Sequence, residues 1–328
     1  MRIVFFGSGA FGVPTLAAIA AEHEVACVVT QPDRPAGRGG ALTPTPVAAW
    51  CASRGGSIPV IRPENVNAAD VSDHLRSLGA DAWVVIAFGQ KLGMDLRRGV
   101  LAVNLHASLL PRWRGAAPIN AAVVAGDELT GNSVIALADR MDAGEVLGQT
   151  TRVIGDDLTA GELHDLLSGD GPSLVLDVLT RSRSGTLRPM MQDETWVTRA
   201  RKLSRSDAWV DFTRPARECL RRVHGLTPWP GVSFLVGGSG PGDGMTELKV
   251  LRVQVAASMS EQASPGRMIG EATDGLVACG EKTVLRIVEV QPPGKRPMRW
   301  EEYARGARFA GPLAARSAIT PPPGADAC

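Results

Sequence analysis

Short apolar runs recur through the first half of the chain, at residues 2–6, 24–30, 58–61, 82–88, 100–105 and 132–138, with helix-like stretches such as 13–21 and 68–78 between them. This alternation predicts a parallel, wound sheet with helices on both faces. In open sheets of this kind ligands enter at the carboxyl ends of the strands, so polar residues that follow an apolar run are the first candidates for a site.

A chain of 328 residues is long for one domain, given a usual size of roughly 100 to 200 residues. From 190 to 206 it turns polar and basic, and beyond that proline, glycine and short β-rich runs take over. The expected organisation is an α/β domain over 1–189, a connection over 190–206, a small barrel over 207–315 and a disordered tail over 316–328. Strands near 209–212, 232–236, 247–255, 276–279 and 283–290 would build the barrel, with the glycine-rich 237–242 as a loose hairpin tip. The tail, which includes Pro321, Pro322, Pro323 and Gly324, has too few apolar side chains to pack.

The run at 100–105 ends in the most specific pattern of the sequence, Asn104-Leu105-His106-Ala107-Ser108-Leu109-Leu110-Pro111-Arg112-Trp113-Arg114-Gly115, with Met141-Asp142-Ala143-Gly144 downstream. Side chains two apart on a strand share a face, so Asn104 and His106 point into one pocket. The Leu110-Pro111 pair forces a turn, because proline fixes its own backbone and displaces the preceding residue from the helical region. A histidine on an apolar strand is often only a satisfied core residue. The nearby amide of Asn104 and the carboxylate of Asp142, which needs partners if buried, favour a joint catalytic role instead.

The pattern Asn-x-His, Ser-Leu-Leu-Pro and a later Asp before a glycine turn resembles the folate-dependent formyltransferases. The stretch 110–119 is similar to the branch of that family that acts on methionyl-tRNA. The resemblance implies a Rossmann-like catalytic domain and an oligonucleotide-barrel-like second domain. It implies formyl transfer from 10-formyltetrahydrofolate to the α-amino group of methionyl initiator tRNA, with no metal and no NAD. Asn104, His106 and Asp142 would be catalytic; Ser108, Leu109, Leu110 and Pro111, with Phe88 and Gly89, would border the folate; ordinary core packing is the competing reading of Phe88.

Residues 31–46 contain four prolines and three glycines and read as a long exposed loop without regular structure, uncommon unless functional. Arg34 and Arg38 give it guanidinium forks for phosphate, and Pro-Ala-Gly-Arg-Gly resembles the loop with which the tRNA enzymes engage the acceptor end. The lysines that usually follow in the family are replaced here by Gly40 and Ala41. Net charge is only +1, so polyanion binding must be local. Residues 181–222 supply eleven basic side chains against five acidic ones, and Arg201, Lys202 and Arg205 are the candidate tRNA contacts within them.

Gly7-Ser8-Gly9-Ala10-Phe11-Gly12 follows an apolar run and opens a helix, as a dinucleotide fingerprint would. The next run ends in Val29-Thr30-Gln31 without the acidic residue that a nicotinamide cofactor requires, so the glycines are read as a tight strand-to-helix turn. Cys27, Cys51, Cys219, Cys279 and Cys328 are widely spaced and odd in number, which predicts neither zinc nor a disulfide framework. No signal peptide or membrane-length apolar run is present, so a cytoplasmic protein is expected. A monomer is expected from the resemblance and from the lack of a coiled-coil seam. A sugar-nucleotide formyltransferase is the nearest rival, disfavoured by the Arg38 loop. A dehydrogenase or a noncatalytic RNA-binding module leaves the 104–115 motif unexplained.

Overall fold

The computed structural model describes residues 1–36, 40–238, 244–258, 263–307, 309 and 311–322, and the chain forms two compact units. The first comprises Met1–Gly115, Leu129–Arg152 and His164–Arg199; the second comprises Ala116–Glu128, Val153–Leu163 and Ala200–Cys328. Of the expected connection 190–206, residues 190–199 thus pack into the first unit and the remainder into the second.

The chain begins with β1 (Arg2–Gly7), α1 (Val13–Glu22) and β2 (Glu24–Val29), followed by a ribbon of β3 (Arg34–Ala36) and β4 (Ala41–Thr43). Next come α2 (Pro46–Ser53), β5 (Val60–Ile61), α3 (Ala69–Ser77), β6 (Ala82–Ile86), α4 (Met94–Arg97) and β7 (Leu101–His106). After β8 (Arg114–Gly115) and α5 (Pro118–Ala125), the first unit is completed by β9 (Leu129–Ala136), β10 (Val146–Val153) and most of α6 (Ala160–Arg183).

Seven of its described strands form one sheet in the order β10-β9-β7-β6-β1-β2-β5. The pairs β1–β2, β1–β6, β6–β7 and β2–β5 are parallel, whereas β9 runs antiparallel to β7. All five residues of β6 are buried, as expected for a central strand covered on both faces. The order reverses between β1 and β6, which places the switch point of the sheet at Gly7–Ser8 and Ala87. Helix α6 lies close to β7 because Gly171 carries no side chain: a Cβ there would come within 2.7 Å of Leu105 and 2.9 Å of the Thr15 hydroxyl. The Ser168 hydroxyl fixes the same helix to the Phe11 carbonyl at 2.9 Å.

The segment 31–46 differs from its expected irregularity. Arg34, Pro35 and Ala36 pair with Thr43, Leu42 and Ala41 in an antiparallel ribbon. Proline lacks only its own N–H, and a two-stranded ribbon has an unpaired side on which that loss costs nothing.

The second unit contains β11 (Arg199–Ala200, at its boundary), α7 (Ala216–Gly225), β12 (Val232–Gly238), β13 (Met245–Ala256), β14 (Met268–Ile269), β15 (Leu276–Ala278), β16 (Val284–Gln291), β17 (Met298–Arg299), α8 (Trp300–Ala307) and β18 (Leu313–Ser317). Six of these strands run β14-β15-β16-β13-β12-β18, β17 pairs with β16, and an antiparallel bridge from Arg267 to Ala314 joins the two ends into a nearly closed barrel. Phe234, Val250, Leu285 and Trp300 fill it.

No strand forms at 209–212. There the carbonyls of Trp209 and Asp207 accept from the buried Arg222 guanidinium at 2.9 and 2.8 Å, and the Asp211 carboxylate turns the chain by accepting from the Thr213 N–H. The guanidinium also stacks 3.4 Å from the Trp209 ring centroid. Of the expected hairpin tip, Gly237 and Gly238 end β12 and residues 239–242 lie outside the described residues. Of the expected tail, Arg316 and Ser317 belong to β18, and residues 323–328, including Cys328, lie outside the described residues. The other four cysteines are buried and unpaired. No described helix is long and apolar enough to cross a membrane.

His224 of α7 is 1% exposed, with Nδ1 3.3 Å from the Asp156 carbonyl and Nε2 accepting from the Val253 N–H at 3.2 Å. Both ring nitrogens are used by the neutral form, and burial together with the nearby Arg252 cation holds its pKa below the usual value. The unfolded chain therefore binds a proton near pH 6.5 that the folded unit resists. The resulting stability is present above that pH and declines as the pH falls toward the lowered folded value. Thermal unfolding at pH 7.5 and 5.5 should show a drop for the parent protein that is smaller in His224→Gln.

Candidate active site

Asn104 and His106 occupy the carboxyl end of β7, where they register against Ile135 and Ser133 of β9. His106 is 6% exposed, and its Nε2 lies 2.9 Å from the carbonyl oxygen of Trp113. A carbonyl only accepts, so Nε2 carries a proton and Nδ1 is left as the nitrogen available for chemistry. Nδ1 faces Asp142 Oδ1 at 3.8 Å, beyond direct hydrogen-bond range. The Asn104 amide has no protein partner among the described residues, which leaves its donors for a ligand.

The geometry of this trio is imposed by the loops. Trp113 and Asp142 both adopt left-handed backbone, with φ of +61° and +54°. Such conformations cost about 1–3 kcal/mol in residues other than glycine and need support from their surroundings, although aspartate tolerates them better than most. Support for Asp142 begins with its own Oδ2, which accepts from the Gly115 N–H at 2.9 Å. Gln192 then donates to the carbonyls of Asp142 and Gly144 at 2.8 and 2.7 Å while its oxygen accepts from Arg114 at 3.0 and 2.8 Å. Arg114, itself buried, shares Glu194 with Arg140, each at 2.9 Å. Hydrogen bonds from Arg114 and then Arg140 hold the Glu194 carboxyl below the usual glutamate range. Gly144 allows the close return of the loop, because a Cβ there would meet the Ala136 carbonyl oxygen at 1.7 Å.

The segment Ser108–Pro111 is fixed from β9 and β10. The Ser133 hydroxyl donates to the Ser108 carbonyl at 2.6 Å and accepts from the Leu110 N–H at 3.0 Å, and Gln149 donates to that hydroxyl at 2.8 Å and to the Leu110 carbonyl at 3.0 Å. Ser108 is fully buried and donates to the Arg112 carbonyl at 2.7 Å. Leu110 packs on Ile135 and Val146, while Leu109 and Pro111 are half-buried.

Phe88 faces the core, with its ring 5.6 Å from that of Phe6, and its carbonyl accepts from the Ser8 hydroxyl at 3.1 Å. Beside it Gly89 is exposed with φ +89°. Thus Gly89 presents backbone at the end of β6, whereas the Phe88 side chain packs elsewhere. Arg34 is exposed on the ribbon, and Arg38 lies outside the described residues. In the second unit Lys202 and Arg205 are exposed and Arg201 pairs with Asp207. Four side chains that hold the site, Gln192, Glu194, Ser133 and Gln149, were not singled out by the sequence pattern; none lies in the 104–115 motif or next to Asp142.

Residues 1–179 match the family described as "Formyl transferase", and residues 202–308 match "Formyl transferase, C-terminal domain". The chain belongs to the formyl transferase family. Similar curated relatives are the methionyl-tRNA formyltransferase of Methylococcus capsulatus, 40% identical with 95% of this chain and 98% of that protein covered, and that of Cereibacter sphaeroides, 42% identical with 93% and 96% covered. The fold is shared with more distant members. WlaRD, a sugar 3N-formyl transferase solved with dTDP and 5-N-formyl-THF, superposes with a TM-score of 0.63 at 11% identity, over 90% of this chain and 99% of its own. HypX from Aquifex aeolicus, solved with tetrahydrofolic acid, gives 0.59 at 16% identity over 92% of this chain, which spans 46% of that longer protein.

Because Gly144 has no room for a side chain, Gly144→Ala should displace the Asp142 loop while leaving the sheet intact. Formyl transfer is expected to fall by about 100-fold, the scale of a misplaced catalytic group, with an unchanged far-ultraviolet circular dichroism spectrum.

Proposed function

We propose that this chain transfers the formyl group of 10-formyltetrahydrofolate to the α-amino group of methionyl initiator tRNA, with Asn104, His106 and Asp142 as the catalytic residues. The observation that carries the chemistry is the arrangement of the trio: an unengaged amide, an imidazole whose Nδ1 alone is free, and a carboxylate 3.8 Å from that nitrogen. The choice of acceptor rests on the relatives, which are named methionyl-tRNA formyltransferases and are covered almost end to end.

The nucleophile must be a neutral amine, and an α-amino group with pKa of about 8 supplies a neutral fraction near pH 7. No covalent enzyme intermediate is needed, so the residues position groups and manage charge. As the amine attacks the formyl carbon, Asn104 donates its amide hydrogens to the negative charge growing on the formyl oxygen, and on collapse the bond from that carbon to the folate nitrogen breaks, so that tetrahydrofolate leaves with a proton on that nitrogen. His106 serves through Nδ1: protonated, it donates to the same oxygen, while Nε2–H stays committed to the Trp113 carbonyl. Asp142 balances the imidazolium from 3.8 Å, and a water beside the pair relays the amine's proton to the carboxylate.

The donor, when bound, supplies the formyl carbon and a flat heterocycle. Ser108, Leu109, Leu110 and Pro111 would hold it together with the Phe88–Gly89 backbone. The fit of this segment is supported by its rigid attachment to Ser133 and Gln149 and by the half-exposed apolar surfaces of Leu109 and Pro111. Arg34, Arg38, Arg201, Lys202 and Arg205 are assigned to phosphate contacts on the tRNA, the barrel over 207–315 to tRNA binding, and the protein to the cytoplasm as a monomer.

Transfer assays with methionyl initiator tRNA, uncharged tRNA and a 4-amino-sugar nucleotide test the reading: only the first should accept the formyl group, and transfer to the sugar would overturn the acceptor. His106→Ala should lower kcat by about 10²- to 10⁴-fold with tRNA affinity nearly unchanged. Arg38→Ala should instead raise KM for the charged tRNA, and a large loss of tRNA affinity in the histidine variant would contradict this separation of roles.

A further inference from the structure

Residues 190–199 form a strap along the Asp142 loop. Met190 bridges antiparallel to Val146, Gln192 holds the Asp142 and Gly144 carbonyls, and Glu194 holds Arg140. At the far end, Thr198 receives the N–H of Arg114 on its carbonyl at 3.0 Å and that of Trp113 on its hydroxyl at 2.9 Å. The strap therefore touches both loops that set the catalytic geometry.

On these adjoining segments four large apolar side chains face solvent: Met141 is 69% exposed, Met190 59%, Met191 86% and Trp196 66%. Single exposed apolar residues are ordinary, but a concentration of them beside a polar site marks a binding surface. Trp196 is the most exposed of the seven tryptophans, ahead of Trp229 at 52%. Nothing in the chemistry assigned to Asn104, His106 and Asp142 requires it.

The surroundings indicate the occupant. Arg188 and Arg199 are exposed on the same segment of chain, and the two acids of the strap are engaged, Glu194 by Arg114 and Arg140 and Asp193 by the N–H and hydroxyl of Thr195. A flat aromatic ring among arginines suits a base and its phosphates, since every nucleobase offers a face for stacking.

We propose that Trp196, on the strap that also carries Met191 and is tied to the loop bearing Met141, is the platform on which an unpaired nucleobase of the tRNA's single-stranded 3′ end stacks, holding the aminoacyl group at the catalytic trio. This inference rests on the acceptor assignment above and adds the place where the end of that acceptor is gripped.

The test compares Trp196→Ala and Trp196→Phe with the parent protein. Alanine is expected to raise KM for methionyl-tRNA about tenfold, with kcat at saturation and KM for 10-formyltetrahydrofolate within about twofold, and phenylalanine to recover most of the loss. A KM for methionyl-tRNA that does not move overturns the platform. So does a rise in the KM for the folate alone, which would make Trp196 a surface for the donor's aromatic ring. Binding of uncharged initiator tRNA by filter retention is measured in parallel, with and without its 3′-terminal single-stranded nucleotides. The alanine variant should bind the intact RNA more weakly and the truncated RNA as the parent does; equal affinity for the intact RNA, or an undiminished defect with the truncated one, sinks the proposal. A parent protein that fails to formylate methionyl-tRNA would remove the acceptor assignment, and the binding comparison would still decide the platform.

Discussion

The hydrogen bond from His106 Nε2 to the Trp113 carbonyl fixes the chemical identity of the imidazole. It determines the tautomer, turns Nδ1 toward Asp142, and requires the left-handed backbone at Trp113 that presents the carbonyl. That backbone is in turn secured by Thr198, the partner carboxylate by the Gly115 N–H, and the Asp142 carbonyl by Gln192. The surrounding hydrogen bonds give His106 and Asp142 one orientation each. Removing a support would leave a buried donor or acceptor unmet, at about 1–3 kcal/mol for each such group.

The parts of this arrangement that were legible in the sequence are those governed by short periodicities. Asn104 and His106 share a face because strand side chains alternate, and Asp142 announced itself as a carboxylate beside a glycine turn. Strands β1, β2 and β6 were readable because each carries an unbroken apolar run of four or five residues. Gln192 was not readable, since its two carbonyl partners lie 50 and 48 residues away and a polar stretch looks the same whether it links domains or straps a loop. Ser133 and Gln149 escaped for the same reason. At 209–212 an apolar composition met a competing claim, the buried Arg222 taking the carbonyls that a strand ladder would have used.

The glycine motif at residues 7–12 shows how similar sequence signals can serve different physical needs. A Cβ on Gly7 would lie 2.5 Å from the Phe5 ring and 2.9 Å from the Ile86 carbonyl oxygen, and one on Gly12 would crowd Ile86 at 3.2 Å. These glycines let the turn and the start of α1 press against β1 and β6. Ser8 then ties three strands together, its hydroxyl donating to the Phe88 carbonyl and accepting from the Gln31 N–H, each at 3.1 Å. Close packing accounts for Gly7 and Gly12.

Barrel closure in the second unit depends on β18, residues Leu313–Ser317, which completes the circuit by pairing with β12 on one side and reaching Gly266 and Arg267 on the other. In the chain this strand follows every other described strand of the barrel, so it is synthesised after them. Until it emerges from the ribosome, β12 and β14 remain open edges able to pair with other extended chains. The order of translation thus leaves the barrel open until its last described strand is made, and places on these five residues the task of sealing it.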